Sequence, residues 1–260
     1  MLIDTHIHLD APEFDHDRDA VMAAARDAGV RRFIVPAVER ANFEMVEALA
    51  EQHADVDFAL GIHPLYAGRA APADLEWLDD RLGRGRAIAV GEIGLDQYVV
   101  APSIAVQTAY FVAQLKLARK HGLPAILHVR RAVDAVLKEL RRIEIPGGIA
   151  HSFNGSLQQA RQFIDMGFKL GFGGAMTFEG SRRIRALAAE LPLSALVLET
   201  DAPDIPPAWR KGARTEPADL AAILGVLATL RSDTPAHVAA VTADNARQIF
   251  GLDFGCDRQD

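Results

Sequence analysis

Short runs of β-branched and other apolar residues alternate along the chain with longer segments in which apolar residues recur every three to four positions. Short apolar runs are typical of strands buried on both faces, and the longer pattern is typical of helices with one apolar side. The strands that this pattern predicts are residues 2–6, 32–36, 58–61, 87–91, 125–128, 148–151, 169–173 and 195–199. The predicted helices are residues 17–28, 42–53, 103–121, 132–142, 156–166, 181–190, 216–230 and 235–250.

The order of these elements gives about eight strand–helix units, the number that closes a parallel sheet into a barrel. Gly122, with Pro124 soon after it, is a typical signal for the end of the longest predicted helix. An open doubly wound sheet is the alternative, but its first strand usually leads into a glycine-rich phosphate turn. Here the first strand leads into an Asp-Thr-His segment at residues 4–6. The sequence therefore predicts an α/β fold, a TIM-type (β/α)8 barrel forming a single domain over residues 1–260.

Composition narrows the environment and the partners. Half of the residues are hydrophobic, and 28 Lys+Arg stand against 35 Asp+Glu, a net charge of −7. This is the balance of a soluble globular protein, and the single Cys256 indicates a reducing compartment, so we expect a cytoplasmic location. The first residues do not resemble a signal peptide, and the longest apolar run, about residues 221–230, is about half a membrane span. We therefore expect no membrane partner, and no obligate protein partner is evident.

The negative charge also bears on nucleic-acid binding. It excludes a long basic surface that coats duplex DNA, which would need a high isoelectric point. It does not exclude a chain end or a small phosphoester that enters a pocket lined by bound cations, because each divalent ion adds positive charge locally. The total charge thus limits the size of the binding surface and leaves the chemistry open.

Histidines concentrate where a parallel barrel places its active site, at the C-terminal ends of the strands. Glu92 and Asp201 follow buried runs, where a carboxylate is costly unless it is paired or bound to a cation. The two first histidines of the chain are two residues apart on an extended segment, so both side chains point to one face. Five of the nine histidines stand at such strand ends: His6, His8, His63, His128 and His151.

The candidate donors exceed what one tetrahedral ion needs. Four imidazoles and two carboxylates suit two divalent ions that share a bridging ligand, and the mixture is compatible with Zn²⁺, Mn²⁺, Fe²⁺, Ni²⁺ or Mg²⁺. Such ions lower the pKa of water towards neutrality, and a neighbouring carboxylate can then accept the proton. We assign that catalytic role to Asp201. His63, which precedes a proline, is compatible with either a loop position or the site.

Taken together, these motifs resemble the TatD family of metal-dependent hydrolases, which are amidohydrolase-like TIM barrels. Stretches around residues 173–177 and 201–204 are most similar to the YjjV-type branch of that family. Ser152 and Asp204 depart from the commonest family pattern at positions that bear on substrate rather than on metal. The matching segments are residues 3–9, 61–64, 91–96, 124–130, 151–156, 198–203 and 245–247.

The resemblance implies a role for each candidate residue. His6, His8, Glu92 and Asp201 would hold the first ion, and Glu92 would bridge to a second ion held by His128 and His151. His63 would lie beside the ions as a catalytic or substrate-contacting residue. The implied activity is hydrolysis of phosphodiesters in DNA, exonucleolytic in several members of the family.

Three functions follow from these observations. The first is a metal-dependent deoxyribonuclease that acts on single-stranded or frayed DNA ends, with Arg130, two residues after His128, as the best candidate for phosphate binding. The alternative is a hydrolase of a small ester, amide or cyclic amide that uses the same ions. The third is a metal-binding protein without turnover, which an intact ligand set disfavours. Further candidate phosphate-binding cations are Arg131, Lys169, Arg210, Lys211 and Arg214.

Overall fold

Eight parallel strands form one sheet in the computed structural model, which describes residues 1–252. Each strand pairs with the next one along the chain, in the order β1 to β8. Cys256 lies outside the described residues, so the inference drawn from it stays a prediction. The strands are β1 (Leu2–Asp4), β2 (Val30–Pro36), β3 (Val56–Leu60), β4 (Ala89–Asp96), β5 (Ala125–Arg130), β6 (Gly148–Ala150), β7 (Phe168–Phe172) and β8 (Leu196–Leu198).

Nine α-helices accompany these strands within residues 1–252, and none of them is both long and apolar enough to cross a membrane. The helix between β3 and β4 is missing from the sequence prediction, although Pro72 in its first turn and Asp74 at its start are helix signals. The helices are α1 (Arg18–Asp27), α2 (Phe43–Gln52), α3 (Pro72–Gly83), α4 (Ile104–His121), α5 (Val133–Arg142), α6 (Leu157–Asp165), α7 (Arg182–Glu190), α8 (Leu220–Arg231) and α9 (Pro235–Phe250).

The sheet curls until its two edges meet. The backbone N–H of Thr5 donates a hydrogen bond of 3.1 Å to the carbonyl oxygen of Leu198, which joins the segment after β1 to β8. The predicted TIM-type barrel is confirmed. The largest difference from the prediction is in β4, which continues to Asp96 rather than ending at residue 91. β1 ends at Asp4 rather than at residue 6, and the other strand boundaries agree with the prediction to within two residues.

Apolar side chains form two layers around the strands. The larger layer packs the outer helices against the barrel wall. The smaller layer fills the N-terminal end of the barrel interior with Ile3, Ile34 and Ile126, among others, and is covered by Ala246 and Phe250 of α9. Within residues 1–252, this packing closes one end of the barrel and leaves the C-terminal end open.

The last helix is fixed over this sealed end by a hydrogen-bonded side chain. The buried side-chain amide of Asn245 donates to the carbonyl oxygens of Leu193 (2.8 Å) and Leu196 (2.7 Å) at the start of β8. Buried carbonyl groups need such partners, since leaving them unpaired costs free energy. The Asn245 motif therefore has a structural role far from the open mouth.

Candidate metal centre

The seven residues that the sequence predicts for the site all lie together at the C-terminal mouth of the barrel. They are contributed by six different strands or by the residues that directly follow them. Three groups of their ligand atoms lie close enough to hold a metal ion: His6 with Glu92 and His151, His6 with His8 and Asp201, and His63 with Glu92 and His128. The structure thus brings together every candidate ligand, with Glu92 shared by two of the groups.

One carboxylate oxygen of Glu92 faces the histidines of the first strand. Its Oε2 lies 3.2 Å from Nε2 of His6 and 3.7 Å from Nε2 of His8. The two nitrogens are 3.3 Å apart, and Oδ1 of Asp201 lies 3.5 Å and 3.7 Å from them. β1 ends before these histidines, yet their rings still meet on one side, as the sequence spacing predicts.

The other oxygen of Glu92 faces a different set of histidines. Its Oε1 lies 3.0 Å from Nδ1 of His128, 3.2 Å from Nε2 of His151 and 3.6 Å from Nε2 of His63. Glu92 itself is only 2% exposed. A single buried carboxylate therefore contacts two sets of nitrogens, one with each oxygen.

The backbone of β4 places Glu92 close to β5. A Cβ at Gly91 would lie 2.6 Å from Cβ of Ile126, and one at Gly94 would lie 1.9 Å from the carbonyl oxygen of His128. Only glycine permits this approach without displacement of the neighbouring strand. Gly94 pairs with His128 in the strand register, so the imidazole lies between Glu92 and the carboxylate four residues further along β4.

That second carboxylate is Asp96, for which the sequence analysis proposes no role. Its Oδ2 accepts a hydrogen bond of 3.1 Å from Nε2 of His128, which leaves Nδ1 of the same ring free to face Glu92. A carboxylate that holds the distal nitrogen of a ligating histidine fixes its tautomer and raises its basicity. Asp96 lies four residues after Glu92 on the same face of β4, and this spacing is the sequence signal from which it could be found.

Glu199 is a second supporting residue without an assigned role in the sequence analysis. It is fully buried, its Oε1 accepts the backbone N–H of Ser152 at 2.5 Å, and Nδ1 of His151 is 3.7 Å away. A Cβ at Gly171 would lie 2.1 Å from Oε2 of Glu199, so the glycine makes room for this carboxylate. The position of Glu199 favours a proton on Nδ1 of His151, which leaves Nε2 as the nitrogen that faces Glu92.

His63 differs from the candidate ligands because the nitrogen that it turns towards Glu92 carries the ring proton. Its Nδ1 accepts the backbone N–H of Leu65 at 3.2 Å, so the ring proton resides on Nε2. A nitrogen that carries a proton cannot also ligate a metal ion. His63 is therefore better suited to donate a hydrogen bond at the site than to act as a ligand, although its Nε2 lies near Glu92.

The charge states of the group follow from burial and proximity. Burial alone would raise the pKa of Glu92, but the imidazoles of His6, His63 and His151 hold it well below its ordinary value. Burial lowers the pKa of His6 to about 3 and raises that of Asp201 to about 6. For His151, burial lowers the pKa, but Glu92 and Asp201 outweigh it and raise it well above the ordinary value.

This donor set fits divalent cations. The Nε2 atoms of His6 and His8 face each other, and Nδ1 of His6 is buried without a hydrogen-bond partner within the described chain. On the other side, Asp96 and Glu199 lie against the distal nitrogens of His128 and His151, so that Nδ1 of His128 and Nε2 of His151 face Glu92. Lone pairs that converge on one another are unfavourable unless a cation lies among them. Histidine nitrogens with carboxylate oxygens are typical ligands of zinc, manganese and related ions.

A cleft of about 1280 Å³ opens above these residues. This volume exceeds the usual range of roughly 300–1,000 Å³ for pockets that bind small molecules. Arg130 and Arg131 line the cleft, as do Asp201 and Asp204. The predicted phosphate contact, Arg130, therefore lies at the mouth of the candidate metal centre.

Three of the further candidate cations are engaged elsewhere. Lys169 donates to the carbonyl oxygen of Ser194 at 2.7 Å, near the start of its strand and away from the mouth. Arg210 is paired with Asp219, and Arg214 with Asp17. We therefore withdraw these three as candidate phosphate-binding residues.

Comparison with known proteins agrees with the fold and with the motifs. A family model described as TatD related DNase matches residues 3–251. The chain is 40% identical over 253 residues to the uncharacterized metal-dependent hydrolase YjjV of Escherichia coli K12, covering 96% of this chain and 98% of the relative. The crystal structure of that protein has a TM-score of 0.93 and covers 97% of this chain and 98% of its own.

A second relative carries a more specific name. The chain is 31% identical over 259 residues to the 3′-5′ ssDNA/RNA exonuclease TatD of Klebsiella pneumoniae, with 97% of this chain and 98% of the relative covered. A crystal structure of a TatD family hydrolase from Entamoeba histolytica, at 17% identity and a TM-score of 0.85, shares the fold. The family resemblance seen in the sequence is confirmed. The chain belongs to the TatD family of metal-dependent hydrolases.

Proposed function

We propose that this protein is a phosphodiesterase that uses two divalent ions to remove nucleotides from the ends of single-stranded DNA. The observation that carries the proposal is the position of Glu92, whose two oxygens face two different sets of histidine nitrogens. A carboxylate in this position is suited to bridge two ions, and paired ions about 3.5–4 Å apart are typical of nucleases and phosphatases.

In this proposal, His6, His8, Asp201 and Glu92 would hold the first ion. Glu92, His128 and His151 would hold the second. His63 is not a ligand, because its Nε2 carries the ring proton. Zn²⁺, Mn²⁺ and Mg²⁺ are all compatible with this mixture of nitrogen and oxygen donors.

When bound, the ions would supply a lowered pKa for the attacking water and a positive field for the charge that develops on the phosphate. The residues of the chain perform the remaining steps. Asp201, at the rim of the group, accepts the proton of the water through its carboxylate. The Nε2–H of His63 donates a hydrogen bond to a phosphate oxygen, and Arg130 binds a phosphate from the side of the cleft.

A nucleic-acid substrate is supported by two further observations. The relative from Klebsiella pneumoniae is named as an exonuclease for single-stranded DNA and RNA, and the family model is described as a DNase. The cleft, at about 1280 Å³, is also larger than a small ester or amide requires. A chain end rather than a long duplex is in agreement with the net charge of −7.

The test is cleavage of end-labelled single-stranded DNA by protein loaded with Mn²⁺, Zn²⁺ or Mg²⁺ in parallel. We expect Glu92→Ala to lose both bound metal and cleavage, because both ion positions lose their shared ligand. The matched control is Glu76→Ala, at an exposed position of α3, which should load metal and cleave like the parent. Metal loading and cleavage at the parental level in Glu92→Ala would refute the bridging role.

The same experiment separates the proposed function from its alternative. A panel of small carboxylic esters, amides and cyclic amides is incubated with the same metal-loaded protein. Turnover of these compounds, with intact DNA, would indicate the small-molecule hydrolase instead. Turnover of DNA alone supports the phosphodiesterase.

A further inference from the structure

Most of the arginines that form ion pairs do not line the cleft. Arg26 binds Asp55 through two hydrogen bonds of 2.7 Å and 2.9 Å, and Arg81 is paired with Glu47. Such pairing is expected in a chain with more acidic than basic residues. The arginines that line the cleft are different, because their guanidinium groups are largely unpaired.

Two of these arginines lie over one aromatic ring. The guanidinium carbons of Arg130 and Arg131 are 4.0 Å and 4.7 Å from the centre of the Tyr98 ring. The ring is about half exposed, and the carboxylate contact given for Arg130 is long, at 3.9 Å to Asp96. Within residues 1–252, no ion pair is formed by Arg131.

An aromatic ring is a suitable support for a guanidinium group. Stacking uses the flat face of the guanidinium and leaves its in-plane N–H groups free to donate to another molecule. It also reduces the conformational entropy that a long side chain loses when it binds a ligand. Tyr98 thus holds two arginine side chains ready without neutralising them, as a carboxylate would.

The loop that carries Tyr98 is anchored to the metal centre. Oδ1 of Asp96 accepts the backbone N–H groups of Tyr98 (2.8 Å) and Val99 (3.3 Å), while Oδ2 contacts His128. The backbone N–H of Gln97 also donates to the carbonyl oxygen of Arg130 at 2.9 Å. One buried carboxylate therefore fixes both a candidate metal ligand and the ring beneath the arginines.

A third guanidinium group lines the cleft from the start of α7. Nε of Arg183 donates to the side-chain oxygen of Asn154 at 3.0 Å, which leaves its terminal nitrogens for a ligand. Of the acidic residues in the lining, Asp134 accepts a hydrogen bond from Gln159 at 2.8 Å, and Asp204 is exposed. The cleft therefore offers three exposed arginine side chains next to the candidate metal centre.

We propose that Arg130 and Arg131, held on Tyr98, together with Arg183, form a binding site for a second phosphate of the substrate chain. This is the phosphate adjacent to the one that is cleaved. Guanidinium groups bind phosphate oxygens through paired, charge-assisted hydrogen bonds, and this geometry suits the free edges of stacked arginines. The inference rests on the proposed function, because it requires a substrate with more than one phosphate.

The test measures binding separately from cleavage. Fluorescein-labelled five-thymidine DNA is titrated with protein in Ca²⁺ and followed by fluorescence anisotropy. Its second linkage from either end is replaced, in turn, by an uncharged methylphosphonate. We expect the parent protein to bind one of these neutral-linkage oligonucleotides about tenfold more weakly, since charge-assisted hydrogen bonds to that phosphate are lost.

The variants assign this loss to particular residues. Arg131→Gln and Arg183→Gln should bind the unmodified oligonucleotide more weakly than the parent does. Replacing the linkage by methylphosphonate should then reduce their affinity by a smaller factor than it reduces that of the parent. Tyr98→Leu should behave like the arginine variants, whereas Tyr98→Phe, which keeps the ring, should bind like the parent. Arg182→Gln, at an exposed neighbour of Arg183, is the matched control. The neutral linkage should reduce its affinity as much as it reduces that of the parent.

The proposal is overturned if Arg131→Gln and Arg183→Gln retain the full effect of the neutral linkage. It is equally overturned if Tyr98→Phe binds as weakly as Tyr98→Leu, because the ring would then not be what matters. Arginine-dependent binding without any DNA cleavage by the parent would contradict the proposed activity and still support the phosphate site. If the parent cleaves DNA but the neutral linkage has no arginine-dependent effect on binding, the proposed activity is supported and the phosphate site is contradicted.

Discussion

The two openings of the barrel are formed by the same eight strands and differ in nearly every chemical respect. At the N-terminal end, apolar side chains such as Ile34 and Ile126 meet Phe250 of α9. At the C-terminal end, imidazoles and carboxylates converge around Glu92 within a few ångströms of one another. One opening is closed by packing, and the other is left open above a polar cluster.

This difference separates stability from function within one barrel. Burial of apolar surface stabilises the fold, and the sealed end contributes it without restricting the mouth. The cluster at the mouth is unfavourable by itself, because buried charges and facing lone pairs are costly until a cation is bound. We therefore expect changes at the mouth to alter activity with little loss of stability, and changes at the sealed end to do the opposite.

The largest expected effect is on the rate of cleavage. Asp201→Asn keeps the shape and one ligand oxygen but removes the proton acceptor, so cleavage should fall on the order of 10³-fold. The free energy of unfolding of the metal-free protein should not decrease, because a buried charge is removed. Initial rates on labelled DNA and urea unfolding curves measure the two quantities. A marked loss of stability together with a parental rate would contradict the separation.

The converse change is Phe250→Ala at the sealed end. Truncation of this buried ring should reduce the free energy of unfolding by about 3–5 kcal/mol. At a temperature where the variant is still folded, its kcat and metal content should match the parent. Urea titration and metal analysis of the purified variant test this. A variant that keeps its stability but loses activity would show that the two ends are coupled.

A smaller effect, on metal affinity, is expected for Asp96, which contacts the candidate ligand His128. Asp96→Asn removes the carboxylate that holds Nε2 of His128, and metal affinity should fall about 10–100-fold. Competition with a metal-binding dye measures the affinity. The matched control is Asp80→Asn on the exposed surface of α3, which should bind metal like the parent. If Asp96→Asn and Asp80→Asn bind metal with equal affinity, Asp96 does not support the metal centre.

The smallest expected effect is on an ion pair away from the mouth and depends on pH. Burial alone would raise the pKa of Asp55, but the two hydrogen bonds from Arg26 outweigh it and lower that pKa. The pair then stabilises the fold above the ordinary pKa of aspartate, and this contribution disappears as the pH falls through the lowered pKa.

For Asp55→Asn we therefore expect a loss of about 0.2–1 kcal/mol at pH 7. This difference from the parent should shrink as the pH is lowered past the lowered pKa. Unfolding curves at neutral and acidic pH, recorded with a chelator, provide the comparison. A difference that grows towards low pH would have the wrong sign for a lowered pKa.

The barrel could be predicted from sequence because most strands are short apolar runs and because signals such as Gly122 and Pro124 mark the ends of helices. The predicted candidate ligands could be found for a related reason, since strand ends converge in any parallel barrel. α3 was not predicted because its apolar face is short, and within this helix only Leu78 and Leu82 are fully buried. The roles of Asp96 and Glu199 escaped because they depend on which nitrogen of a ring each carboxylate meets.

The sequence also could not predict which arginines pair with a carboxylate and which stay available to a substrate. In the sequence, Arg130 and Arg214 are both basic residues that follow predicted strands, and only the nearness of Arg130 to His128 sets it apart. Their difference lies in long-range contacts, because Arg214 meets Asp17 nearly two hundred residues away and Arg130 meets an aromatic ring. Pairing between distant segments decides which charges remain for a substrate.

The most direct test of the central claim is a crystal of the protein soaked in Mn²⁺, with anomalous diffraction recorded at the manganese absorption edge. The account predicts two peaks about 3.5–4 Å apart, one on each side of Glu92, with one carboxylate oxygen directed to each. His6, His8 and Asp201 should surround one peak, and His128 and His151 the other. A single peak, or two peaks of which only one contacts Glu92, would contradict it.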